Sequence, residues 1–236
     1  MNEYIFVQGE VGTMLWNGLP LVIFGSGGIS KEIYCLIDDI NRSSFHQSYD
    51  FIGFVGSSQD EVGNEIIDNF NIISSDDQFV EFASKYPIIG IVIPLGDPIV
   101  KKKIYDKFKY ISNAVFPNLF HPTISFNKNN LIIGQGNIIT AGVNLTCDIK
   151  IGDFNLFNLN STVGHDTLIG NFNVINPSAS ISGNVTVKDC CLIGTGAQIL
   201  QGLNVNDRST VGAGAVVVRD VNQNATVIGV PAKTIK

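Results

Sequence analysis

The sequence predicts an α/β domain built on a small parallel sheet, followed by an all-β domain coiled as a left-handed parallel β-helix. Three observations carry this. A large apolar residue returns every six positions through the second half of the chain. Strand and helix patterns alternate through the first half. A glycine-rich turn joins the first strand to the first helix.

The composition sets outer limits. The chain has 236 residues, 44% apolar and 15% charged, which is enough to bury a core and excludes a disordered polymer. The net charge is −6, and the longest basic run is Lys101, Lys102 and Lys103, so a phosphate-tracking nucleic-acid surface is excluded. No secretory signal and no apolar run of membrane-spanning length is recognisable, and a cytoplasmic location is expected. Cys35, Cys147, Cys190 and Cys191 lack zinc-ribbon spacing and are expected as buried small residues in a reducing compartment.

The elements follow in order. Residues 1–19 are expected as an N-terminal extension, either an extra strand or a flexible segment. The apolar run Leu21–Gly25 reads as a strand, and Ile29 to about Ile40 as a helix. A second strand is expected at Phe51–Val55, a helix around Asp76–Lys85, a strand at Ile88–Leu95 and a helix across Pro98–Tyr110. This alternation implies a small Rossmann-like parallel sheet over 20–117.

From Ile133 a step of six meets Ile139, Leu145, Ile151, Phe157, Val163, Ile169, Ile175, Ile181, Val187, Ile193, Ile199, Val205, Val211 and Val217. Helices repeat near 3.6 residues and flat strands near 2, so neither fits. A six-residue period marks a β-helix with three hexads per triangular coil, about five coils in all. Small residues four positions on (Ser161, Thr167, Ala179, Cys191, Ala197, Ser209 and Ala215) relieve crowding at the corners. This domain is expected over 118–236, with a C-terminal tail.

The turn Gly25-Ser26-Gly27-Gly28-Ile29-Ser30 can expose backbone N–H groups at a helix N-terminus, a geometry that suits phosphate. It can equally be a tight turn that only packs the sheet. The second strand ends at Gly56-Ser57 without an acid, and Asp60 and Glu61 come slightly later, which argues against ordinary NAD binding. Of three histidines, His46 lies in a polar loop and His121 at the domain junction, where capping or packing is expected. His165 falls two residues after a core position, so it points outward, and Asp166 follows it. It reads either as a general base oriented by the carboxylate or as a surface histidine beside an unrelated acid. One coil above it stands Gly183, either a backbone oxyanion donor or a corner glycine.

The runs Thr162-Val163-Gly164-His165-Asp166, Ile175-Asn176-Pro177-Ser178-Ala179 and Ser182-Gly183-Asn184-Val185, with the ending Gly229-Val230-Pro231-Ala232-Lys233, resemble the sialic acid O-acetyltransferase family. That family includes the nucleotide-linked 4-amino-sugar N-acetyltransferases of the bacillosamine and perosamine pathways. The resemblance implies a homotrimer that transfers acetyl from acetyl-CoA, without a metal, to an amino sugar for surface glycan synthesis. It makes His165 and Asp166 the catalytic pair and places Asn158 near the acceptor sugar. Gly27, Gly28, Ile29, Gly96 and Lys101 match the nucleotide-sugar pocket, and Val174, Gly183, Thr195, Ala213 and Lys233 are expected toward the coenzyme. The chain departs from the pattern at Val174, where relatives carry a histidine near the coenzyme thiol, and at Gly56-Ser57, where many carry an acid pair. O-acetylation of a sialic acid or another sugar is the alternative, followed by a non-catalytic trimeric scaffold. A γ-class carbonic anhydrase is excluded, since its zinc needs several histidines and the β-helix offers one.

Overall fold

The structure, a computed structural model, describes residues 17–235; most of the expected extension over 1–19 lies outside the described residues. The first unit is a six-stranded sheet. Its elements are β1 (Leu19–Phe24), α1 (Gly28–Ser43), β2 (Tyr49–Gly56), β3 (Glu65–Ile67), β4 (Phe70–Ser75), α2 (Phe79–Ala83), β5 (Ile89–Val92), α3 (Pro98–Phe108) and β6 (Ala114–Val115). The strand order is β3-β4-β2-β1-β5-β6, and every pairing is parallel except β3 with β4.

Strand β4 escaped the sequence reading because it ends in two serines. Both are buried, and Ser75 Oγ meets Gln59 Oε1 at 3.2 Å. The expected helix at Asp76–Lys85 shrinks to Phe79–Ala83, whose anchors Phe79 and Ala83 are fully buried. Helix α3 starts where Asp97 caps it, its carboxylate accepting from the N–H groups of Ile99 and Val100, with Pro98 in the first turn.

From Leu119 the chain winds as a three-faced β-helix whose rungs pair at a spacing of 18 residues, as in Thr162↔Ser180 and Leu156↔Val174. The apolar hexad residues form one continuous core from Ile139 to Val227. The small residues Ser161, Thr167, Ala179, Cys191, Ala197, Ser209 and Ala215 are all buried inside it. Each corner carries one left-handed residue per coil: Phe154, Phe172, Cys190 and Arg208 in one column, Asn160 and Ser178 in the second, and Asp148, Asp166 and Asn184 in the third.

One face of the β-helix docks on the α/β unit. Its outward residues Leu119, Ile138, Leu156 and Val174 share a core with Ile33, Leu36 and Ile37 of α1. At the adjoining corner the Phe154 and Phe172 rings stack at 5.3 Å and pack against Tyr105 of α3. His121 fastens the junction. Its Nδ1 lies 2.8 Å from Thr123 Oγ1, and its Nε2 lies 3.4 Å from Asp39 on α1.

The cysteine expectation needs correcting. Cys190 and Cys191 are buried, but Cys35 and Cys147 are exposed, on the outer surface of α1 and at a β-helix corner.

Candidate functional site

His165 stands on an outer corner of the β-helix, with half of its side chain exposed. Its Nδ1 lies 2.7 Å from Asp166 Oδ2. Asp166 occupies the left-handed corner position (φ 60), a conformation that short polar residues adopt at low cost and that turns the carboxylate back onto the ring. With the proton held on Nδ1 by the carboxylate, Nε2 keeps a free lone pair.

The ring lies across Gly183. A methyl group built on Gly183 would collide with Nε2, and the glycine has no left-handed φ, so space for the imidazole and not backbone conformation requires it. Gly164 is needed for the same close stacking, since a Cβ there would reach Gly183 N at 2.5 Å. The N–H groups on either side of Gly183 are engaged, Ser182 with Ile199 and Asn184 with His165.

In the turn that leads from β1 into α1, Gly25 is the glycine that the fold demands. It sits at φ +101, tied to β2 by a 2.9 Å bond from its N–H to Val55 O, and a side chain there would press on Leu95. Gly27 and Gly28, like Gly96 in the facing loop, have open space where a Cβ would stand. The α1 N-terminus has no side-chain cap and no acid in its first turn. Beneath the turn, Ser30 is 1% exposed and its Oγ has no partner among the described residues.

The structure places two expected ligand contacts elsewhere. Lys101 is 1% exposed, its side chain buried in the seam between the domains. Its Nζ donates to Phe154 O at 3.2 Å and Asn173 O at 3.5 Å. Burial pushes this lysine down to about 7, and the Cys190 thiol nearby opposes the shift. Val174 is fully buried in the core shared with α1, so its side chain has no surface to offer a coenzyme.

Asn158 is 7% exposed at the end of a docking-face strand, with Oδ1 unpaired among the described residues. Thr195 and Ala213 are exposed on the same corner two and three coils further on, the N–H of Gly214 bonding to Thr195 O. Lys233 is exposed in the closing strand Lys233–Thr234. Glu61, which the sequence places too late for the end of β2, folds back so that its carboxylate accepts from Ser57 N–H (2.9 Å) and Ser57 Oγ (3.0 Å).

Fold and site thus define a class: a parallel α/β domain with an uncapped glycine turn, docked on a left-handed hexapeptide β-helix that carries an outward His–Asp pair. Comparison with known proteins sharpens this. Residues 20–108 match the PglD N-terminal domain family. No curated protein matches the chain. Among solved structures, the acetyltransferase domain of PglB from Neisseria gonorrhoeae in complex with acetyl coenzyme A is 28% identical with TM-score 0.80, over 92% of this chain and 100% of that one. PerB from Caulobacter crescentus in complex with CoA and GDP-perosamine shares the fold at 24% identity and TM-score 0.81, over 95% and 100%. WeeI from Acinetobacter baumannii does so at 24% and 0.77, over 92% and 100%.

Proposed function

We propose that this protein is an acetyl-CoA-dependent N-acetyltransferase acting on the 4-amino group of a nucleotide-linked amino-deoxy sugar, in surface glycan biosynthesis. The observation that carries the reading is the His165–Asp166 pair laid across Gly183 on an open corner of the β-helix. The likeness to an acetyltransferase domain solved with acetyl coenzyme A, at 28% identity over nearly the whole chain, supports it. The bare glycines and uncapped helix start support a phosphate-bearing acceptor, because N–H groups at a helix N-terminus attract anions. In this reading Gly25, Gly27, Gly28, Ile29, Ser30, Gly56, Ser57 and Gly96 form the nucleotide-sugar crevice, at the carboxyl ends of the strands.

Catalysis is direct. The sugar amine attacks the thioester carbonyl, His165 Nε2 takes a proton from the nitrogen, and Asp166 stabilises the imidazolium. The carbonyl oxygen, now negative, is met by backbone N–H donors, with Gly183 the nearest candidate. Collapse restores the carbonyl as an amide, the C–S bond breaks, and the thiolate of CoA leaves and is protonated by the imidazolium. Asn158 Oδ1, buried and unpaired, accepts from the acceptor sugar.

The working form is a cytoplasmic homotrimer. Thr195 and Ala213 sit at one edge of a β-helix face and His165 at the other, so a neighbouring copy that brings its own corner alongside makes a groove for acetyl-CoA. Leu159, Leu168 and Leu200 at these edges are each at least 40% exposed, an apolar surface suited to a second copy.

The test is CoA thiol release from acetyl-CoA against nucleotide-linked 4-amino sugars and free sialic acid. Turnover of the amino sugar that falls by roughly 10²–10⁴-fold in His165→Ala supports the assignment. Turnover with sialic acid alone moves it to O-acetylation, and an unimpaired mutant removes His165 from the mechanism.

A further inference from the structure

The end of β2 lacks an acid in sequence, yet the structure puts one there. After Gly56 the chain makes a short 3₁₀ turn (Gln59–Glu61) and returns Glu61 over the strand end. A Cβ on Gly56 would collide with Glu61 Oε2, so the glycine makes room for the carboxylate. Ser57 holds both carboxylate oxygens, one through its N–H and one through its hydroxyl. The turn itself is anchored, because Gln59 Oε1 accepts from the buried Ser75. A second acid in this neighbourhood, Asp76, donates its N–H to Gly56 O, and burial is the main cause that raises its carboxyl.

This carboxylate therefore stands beside the Gly25 turn, which is bonded to Val55, the residue before Gly56. An anion so close to a phosphate site is tolerable only if it meets neutral donors of the same ligand. Each oxygen has used one lone pair on Ser57 and retains capacity for another hydrogen bond. In dinucleotide-binding sheets an acid at this strand end takes a ribose hydroxyl.

We propose that Glu61 is the residue that reads the nucleoside, accepting from a ribose hydroxyl or from an N–H of the base, and that it sets which nucleotide the crevice takes. The proposal rests on the nucleotide-sugar reading above and assigns its specificity to one side chain.

The experiment is calorimetric titration of the full-length protein with UDP, GDP, dTDP and pyrophosphate, for wild type, Glu61→Gln and Ser57→Ala, with thermal melts to verify folding. The expected result is that wild type prefers one nucleoside diphosphate over pyrophosphate. Glu61→Gln should cut that preference roughly 10–100-fold, the weight of a hydrogen bond to a charged group, and leave pyrophosphate binding unchanged. Ser57→Ala, which frees one carboxylate oxygen, should give a smaller loss. The 2′-deoxy form of the preferred ligand separates the two donors: if Glu61→Gln no longer costs affinity there, the ribose is read, and if the cost persists, the base or the 3′-hydroxyl is. Equal nucleoside diphosphate binding by wild type and Glu61→Gln would overturn the role of Glu61 while leaving the crevice intact. A wild type that binds no nucleoside diphosphate better than pyrophosphate would overturn the nucleotide-sugar reading as well.

Discussion

At the scale of single residues, the site is a matter of who stands above whom. Gly183 lies one coil over His165, and the imidazole fills the space that a side chain would take. Gly183→Ala should therefore displace the ring and lower kcat by at least 10-fold, with a melting temperature close to wild type. Steady-state kinetics beside a thermal melt will show whether the two effects separate. The pairing of His165 with Gly183 was legible in the sequence, because a spacing of 18 follows from three hexads. The roles of Glu61 and Lys101 were not. Glu61 reaches the strand end only through a 3₁₀ turn, and Lys101, matched by resemblance to the nucleotide-sugar pocket, is instead buried in the seam between the domains.

At the scale of elements, the β-helix is held by more than its apolar stack. Asn137, Asn155 and Asn173 form a ladder up one corner. Asn137 Oδ1 accepts from Asn155 N–H at 2.9 Å, Asn155 Oδ1 from Asn173 N–H at 2.9 Å, and Asn173 Oδ1 from Cys191 N–H at 2.7 Å. All three asparagines are fully buried. Asn155→Ala strips the acceptor from Asn173 N–H and the donor from Gly170 O, and should cost about 1–3 kcal/mol for the unpaired buried group, read by chemical denaturation. The apolar period passes over this ladder, since a polar residue at a constant spacing looks like solvent-facing decoration. The same corner shows how context overrules propensity. Phe154 and Phe172 adopt the left-handed conformation that bulky residues avoid, and they do so where their rings stack and bury against Tyr105.

At the scale of the whole molecule, the two architectures are one packed body. Their type and order were readable from period and alternation. Their seam was not, because of the residues that build it Ile138, Leu156 and Val174 each sit beside a core hexad position, Leu119 precedes the series, and none carries a pattern that names a partner. Lys101 makes the seam sensitive to pH. Its value is about 7 in the folded chain, against an ordinary 10.5. The unfolded chain therefore binds more protons between these values, and stability rises with pH across that window, by about 1.4 kcal/mol per unit for one proton. Below pH 7 both states are protonated and the contribution is flat. The difference in unfolding free energy between wild type and Lys101→Met should change with this slope from pH 7 to 9 and be constant from pH 5.5 to 6.5, as urea titrations at fixed pH will show.

The last strand, Lys233–Thr234, runs antiparallel to Thr226–Ile228 and ends the one face of the β-helix that extends past the others. A stack of parallel coils has no intrinsic length: each finished rung offers the next the same row of donors and acceptors, as a growing filament does. By reversing direction, the chain spends its own tail on that row. The reversal puts a short antiparallel strand, in place of another parallel rung, at that end of the longest face.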